Sequence, residues 1–256
     1  MTILKAPSRR LLVFVWAVLA CMHTAAAQDY VEWSTENRTS LSFQVNQAGV
    51  VPLLPAGWTL VPVEGAPDRA AVSITFMDRH LVLDGQGQVL RTGTSRYMVM
   101  SVQARNEASG QAGTMLVSGI SPEGPGAYEA YQPALVASVD KRGTGEGEAS
   151  GETQETWTME AQSGDRVQLS LAYTEAAPVR RESRIVLRSG KRPDFTRTYQ
   201  IDQATDALGS PGEPGSRISQ LSFTAEGPLF SRIFDGTEVL TGVTAIPWYS
   251  RQIYIP

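Results

Sequence analysis

The feature that most constrains this chain is the alternation in Ser95-Arg96-Tyr97-Met98-Val99-Met100-Ser101-Val102-Gln103. Successive side chains of an extended strand point to opposite faces. Met98, Met100 and Val102 therefore share one face, and Tyr97, Val99, Ser101 and Gln103 the other. Two mostly apolar faces read as a central strand of a large sheet.

Similar runs lie on both sides of it. Leu41 to Val45, Ala71 to Met77, Thr114 to Ile120, Thr156 to Ala161, Arg166 to Thr174, Ser183 to Arg188, Thr196 to Ile201 and Ile218 to Ala225 are short and extended in pattern. Glu238 to Ile246 and Gln252 to Ile255 finish the series. Gly85-Gln86-Gly87 is a hairpin signal between His80 to Asp84 and Gln88 to Arg91. Ser121 to Gly126 and Leu208 to Ser216 are breaker clusters rich in Pro and Gly. Ala127 to Leu135 is expected to form a short helix, with Tyr128, Tyr131 and Leu135 at helical spacing. Gly227 to Phe234 reads as a helical turn, and Arg142 to Gln154, poor in large apolar residues, as an exposed loop. The expected fold is mainly β: a single antiparallel sheet curled into a cone or barrel with a few short helices.

The N-terminus has its own logic. Lys5, Arg9 and Arg10 precede the apolar Leu11 to Ala20 and then Ala25-Ala26-Ala27, the order of a secretory signal peptide. The apolar run is shorter than the roughly 20 residues that span a bilayer. Residues 1–27 are thus expected to be removed, leaving 28–256 as one β-rich domain in the periplasm or secreted. Val18-Leu19-Ala20-Cys21 is a competing lipoprotein-like cleavage box, and membrane attachment is expected only if Cys21 is lipidated. Cleavage after Ala27 removes the sole cysteine and three cations, taking the net charge from −4 to −7. A mildly acidic chain without a lysine cluster is a poor partner for nucleic acid.

Several chemistries lack their residues. His80 is the only histidine after Ala27, and no G-x-S-x-G elbow, P-loop or dinucleotide fingerprint occurs. Asp78, His80 and Asp84 lie close together, but a metal site usually needs three convergent ligands, so no metal and no cofactor is expected. Lys141 stands out because only Lys141 and Lys191 remain after Ala27. The adjacent cation Arg142, together with burial, would lower the lysine pKa and free its amine for Schiff-base chemistry. The alternative is a solvated Asp140-Lys141-Arg142 turn.

The order of features resembles a known family. Leu53-Leu54-Pro55-Ala56-Gly57-Trp58 followed by Ala71 to Met77 resembles the entry of the acetoacetate decarboxylase-like superfamily. Tyr97-Met98-Val99 and then Val102 sit where that family has a Tyr-x-Glu strand. Gly113 to Ile120, a short helix and Lys141 follow in the same order, with Lys141 where the family has Pro-Lys-Lys. Two departures stand against this: Val99 replaces the glutamate, and Asp140-Lys141-Arg142 replaces the proline and lysine pair.

The resemblance implies a cone-shaped sheet around a pocket that opens to solvent, with Lys141 as the Schiff-base residue of any decarboxylase-like lyase. The missing residues favour instead a non-catalytic domain that binds a small apolar or carboxylated molecule. Tyr97, Met98, Met100 and Arg96 are the expected ligand-binding residues, with plain core packing as the alternative for Tyr97 and the methionines. A third possibility is an envelope interaction module using Trp248-Tyr249-Ser250-Arg251 or the acidic loop as its surface.

Overall fold

The two apolar faces of the Ser95–Asn106 strand meet two different cores. Met98, Met100 and Val102 pack with Leu41, Phe43, Ile74, Phe76, Trp157 and Leu169. Tyr97 and Val99 pack with Leu116, Tyr128, Tyr199, Tyr249 and Ile253. A strand needs both faces apolar only where both are covered, and the rest of the molecule supplies the two covers.

The computed structural model describes residues 28–90, 94–145 and 151–256. The expected signal segment and Cys21 lie outside the described residues. The strands are β1 (Asp29–Asn46), β2 (Trp58–Leu60), β3 (Arg69–Asp84), β4 (Ser95–Asn106), β5 (Ala112–Ser121) and β6 (Tyr131–Thr144). They continue with β7 (Glu152–Ala161), β8 (Arg166–Thr174), β9 (Val179–Ser189), β10 (Thr196–Gly209), β11 (Ile218–Glu226) and β12 (Val239–Ile255). Two one-turn helices, α1 (Gln47–Val50) and α2 (Phe230–Ile233), close one end.

Hydrogen bonding orders the strands β11-β8-β7-β6-β5-β9-β10-β12-β1-β3-β4-β2, and a further β4–β5 pairing closes seven of them into a ring. The remaining layer, β6, β7, β8 and β11, lies over the outside of the ring. Between the layers sits the larger core, where Phe76 stacks on Trp157 with ring centroids 5.4 Å apart. Burying one such side chain contributes roughly 1.5–3 kcal/mol. The smaller core fills part of the ring itself.

The sheet is mixed rather than wholly antiparallel, because β5 pairs in parallel with both β6 and β9. Hairpins join strands that are neighbours in sequence. Closing the ring and attaching the second layer both require β5 to pair with strands reached by longer connections.

Three local expectations change. No helix forms over Ala127 to Leu135: Glu129 adopts a left-handed φ of 55°, and β6 starts at Tyr131. The expected loop from Arg142 to Gln154 is partly strand, since β6 runs to Thr144 and β7 starts at Glu152. The two expected C-terminal strands are one. Pro247, which cannot donate to a ladder, falls where the register of β12 skips against both β1 and β10.

Candidate functional site

Five strands place polar side chains on the inner face of the ring by simple alternation. β1 carries Glu32, Ser34, Glu36 and Arg38, β12 carries Tyr249 and Arg251, β10 carries Arg197 and Tyr199, and β3 and β4 add Arg79 and Tyr97. The antiparallel register sets Glu36 opposite Tyr249 and Ser34 opposite Arg251. Of these, Glu32, Arg79, Tyr97, Arg197, Tyr199 and Arg251, with Glu123 and Tyr128 from the β5–β6 connection and Tyr131 at the start of β6, line a cavity of about 250 Å³.

Behind Arg251, on the inner face of the ring, Glu36 is fully buried. It accepts from Arg38 Nε at 3.1 Å and from Ser34 Oγ at 3.2 Å, and Arg251 Nε lies 3.4 Å away. Burial alone would raise the Glu36 carboxyl, but Arg251 and Arg38 together hold it below its usual range. Arg251 also donates to Ser34 Oγ at 3.1 Å and to Tyr97 Oη at 3.0 Å. Its guanidinium lies over the Tyr199 ring at 4.9 Å, and Arg38 lies over Tyr249 at 3.3 Å. Burial pushes the phenols of Tyr97, Tyr128 and Tyr131 up, so they stay neutral hydrogen-bonding groups. Tyr128 and Tyr199 share one hydrogen bond of 2.8 Å.

The walls differ in their electrostatics. Arg79 is neutralised by Glu32 at 3.3 Å and Glu123 at 2.9 Å and held by Ser95 Oγ at 3.1 Å. Arg197 forms no ion pair among the described residues; it lies near the rings of Tyr128 and Phe195, and its Nε is buried without an acceptor. Three guanidinium groups against two carboxylates line the cavity, one positive charge in excess. Such a surface can orient an anion by charge-assisted hydrogen bonds.

The residues singled out from sequence separate. Tyr97 lines the cavity. Met98 and Met100 turn away from it into the core between the layers, as alternation along β4 demands, and are completely buried. Arg96 pairs with Asp78 at 3.2 Å and lines an outer cleft.

Lys141 lies on β6, outside the cavity wall, with its side chain 36% exposed and Nζ 3.6 Å from the buried Glu155. Arg142, its sequence neighbour, points to the opposite face of the strand and pairs with Asp140 at 3.1 Å. Lys141 thus meets a carboxylate rather than a second cation. In the C-terminal segment, Tyr249 and Arg251 face inward and only Trp248 is well exposed. The ring residues Glu36, Arg38, Arg79 and Arg197 escaped the sequence reading, and Arg251, read there as part of a contact surface, is buried. Their signal was a charged residue at an alternating position in a strand whose neighbours are apolar, as in Tyr249-Arg251-Ile253.

No family model matches the chain, and no curated protein matches it in sequence. Among solved structures, the enduracididine biosynthesis enzyme MppR complexed with pyruvate is similar with a TM-score of 0.50 at 11% identity, over 91% of each chain. An acetoacetate decarboxylase-like enzyme from Sphingomonas wittichii RW1 gives 0.47 at 10% identity, over 89% of this chain and 92% of that one. Acetoacetate decarboxylase from Legionella pneumophila subsp. pneumophila str. Philadelphia 1 gives 0.47 at 11% identity, over 98% of each. At such identities the likeness is one of architecture alone: the chain shares its fold with MppR.

Proposed function

We propose that this chain is an exported domain that binds a small carboxylate in the ring cavity, without Schiff-base chemistry. The observation that carries the reading is the excess guanidinium, Arg197, in a wall that is otherwise charge-balanced. An uncompensated cation at a partly buried site is costly, and an anionic ligand offsets that cost. The cavity of about 250 Å³ is smaller than pockets for drug-sized ligands, which suits a metabolite of a few carbons. The wall's arginines, tyrosines and glutamates favour a carboxylated ligand over a purely apolar one. No lysine lines the cavity among the described residues, and Lys141 belongs to the other layer. Export rests on the basic start, the apolar run and Ala25-Ala26-Ala27.

The test is calorimetric titration of the mature chain with pyruvate, followed by borohydride treatment of the mixture and peptide mass spectrometry. A ligand of pyruvate's size has a binding ceiling of about 9 kcal/mol, so the dissociation constant should lie between micromolar and millimolar. A charge-assisted hydrogen bond contributes about 1.5–3 kcal/mol, so Arg197→Met should weaken binding by about 10- to 100-fold. No lysine adduct should form. Absence of binding removes the proposal, and a reduced adduct on Lys141 replaces it with a decarboxylase-type lyase.

A further inference from the structure

The strands that carry the ring cavity have a second face. Tyr199, Tyr249 and Ile253 pack inside the ring, so their sequence neighbours Gln200, Ser250 and Gln252 point out from the other side of the sheet. A cleft of about 560 Å³ lies there, lined by β1, β9, β10 and β12 alone. The antiparallel register lays its side chains out in two rows. Trp33, Gln252, Gln200 and Arg184 stand opposite one another across the four strands. Ser250, Asp202 and Glu182 form the next row, two residues along. At ordinary strand spacing and rise the two rows cover about 14 Å by 7 Å.

The charges of this face cancel. Arg180, one row further on, donates to both carboxylate oxygens of Asp202, at 2.9 and 2.7 Å, and to Glu182 at 2.9 Å. Arg184 donates to the amide oxygen of Gln28. Two guanidinium groups thus stand against two carboxylates. The hydrogen-bonding capacity left over is neutral. Gln200, Ser250 and the Trp33 indole make no side-chain hydrogen bond among the described residues. Gln252 uses only its oxygen, which accepts from Tyr254 Oη at 2.8 Å. Side-chain amides and hydroxyls can both donate and accept.

We propose that this cleft binds a short neutral oligosaccharide, with one sugar ring packed on Trp33 and hydroxyls bonded to Gln252, Gln200 and Ser250. A sugar carries hydroxyls that donate and accept around its rim and apolar C–H groups on its faces. That pattern matches free amides beside an indole. An anion gains nothing from a charge-balanced cleft, and a purely apolar ligand would leave the amides without partners. The site is on the opposite side of the sheet from the ring cavity and is independent of the ligand bound there.

The experiment is titration of residues 28–256 with maltotriose, cellotriose and xylotriose, followed by calorimetry and tryptophan fluorescence, with trigalacturonate as the charged control. At least one neutral trisaccharide should bind and shift the tryptophan emission, with the same affinity at low and high salt. Trp33→Ala should weaken it at least about tenfold, as truncating the aromatic anchor of a contact does. Because Trp33 is half-buried, Gln200→Ala, at an exposed position, is the second variant. Losing one neutral hydrogen bond should weaken binding about 2- to 12-fold with the melting temperature unchanged. Failure of all three neutral sugars to bind overturns the proposal, as does binding confined to trigalacturonate. Sugar binding that survives both substitutions undiminished overturns it as well.

Discussion

Replacing Glu36 with glutamine keeps the shape of the side chain and removes its charge, which isolates the electrostatics of the ring interior. Glu36 is fully buried between two guanidinium groups, with Arg38 Nε at 3.1 Å and Arg251 Nε at 3.4 Å. The amide can still accept one hydrogen bond, but both cations lose their nearest carboxylate while remaining buried. Removing one partner of a buried ion pair costs about 3–5 kcal/mol. In a chain of this length each kcal/mol moves the melting temperature by about 2–4 °C, so Glu36→Gln should melt about 6–20 °C lower at pH 7.

The pH dependence separates this mechanism from a packing defect. The folded-state Glu36 carboxyl titrates below its ordinary value of 4.5. Its stabilising contribution is complete above that pH and is lost as pH falls through the lower, folded value. Glutamine has no such proton. Urea unfolding of both proteins from pH 7 down to pH 3 should therefore show the gap between them narrowing below about pH 4.5. A gap under about 1 kcal/mol at neutral pH, or one that is constant across the range, would refute the reasoning.

A methyl group at Gly119 would collide with the Met98 carbonyl oxygen and the Tyr131 ring, so Gly119→Ala should lower stability by about 1–3 kcal/mol in denaturant unfolding. Tyr249 is pushed up to about 12 by burial, against the lowering effect of Arg38 and Arg251. The unfolded phenol ionises first, so stability should fall between about pH 10 and 12, by about 3 kcal/mol, and ultraviolet titration should show a fraction of the tyrosine signal appearing only with unfolding. Arg197→Met should bind pyruvate poorly yet melt no lower than the parent, because it removes a buried Nε that has no acceptor. Lys141→Met should leave pyruvate affinity unchanged in the same titration, since Lys141 is outside the cavity wall.

The architecture was legible wherever side chains obeyed alternation. The two apolar faces of Tyr97 to Gln103 marked a strand covered on both sides, and β4 is pressed between two cores. The same alternation should have divided the candidate ligand residues, because Tyr97 and Met98 cannot face one cavity from adjacent positions. Lys141 drew attention through its rarity and its cationic neighbour. On a strand that neighbour faces away, and the partner that matters, Glu155, comes from the next strand.

The ring interior was hard to see for a different reason. Glu36, Tyr97, Arg197 and Arg251 are far apart in sequence. The β1–β12 and β10–β12 pairings bring Glu36, Arg251 and Arg197 together, and β3, paired with both β1 and β4, carries Tyr97 alongside. The β4–β5 pairing and the parallel β5–β9 contact complete the circuit around them. Those pairings close the ring, and local pattern carries no trace of them. What local pattern did hold was the polar set Glu32, Ser34, Glu36 and Arg38 at every second position of β1, ahead of the apolar Leu41, Phe43 and Val45. A strand that changes from a charged inner face to an apolar outer one along its length serves two compartments, and β1 does so.

The most direct test of the account is a crystal structure of residues 28–256 soaked with pyruvate. The account predicts density inside the seven-strand ring, with the carboxylate within hydrogen-bond distance of Arg197 and no covalent link to the protein. Density continuous with Lys141, or a ring cavity that stays free of ligand at saturating pyruvate, would contradict it.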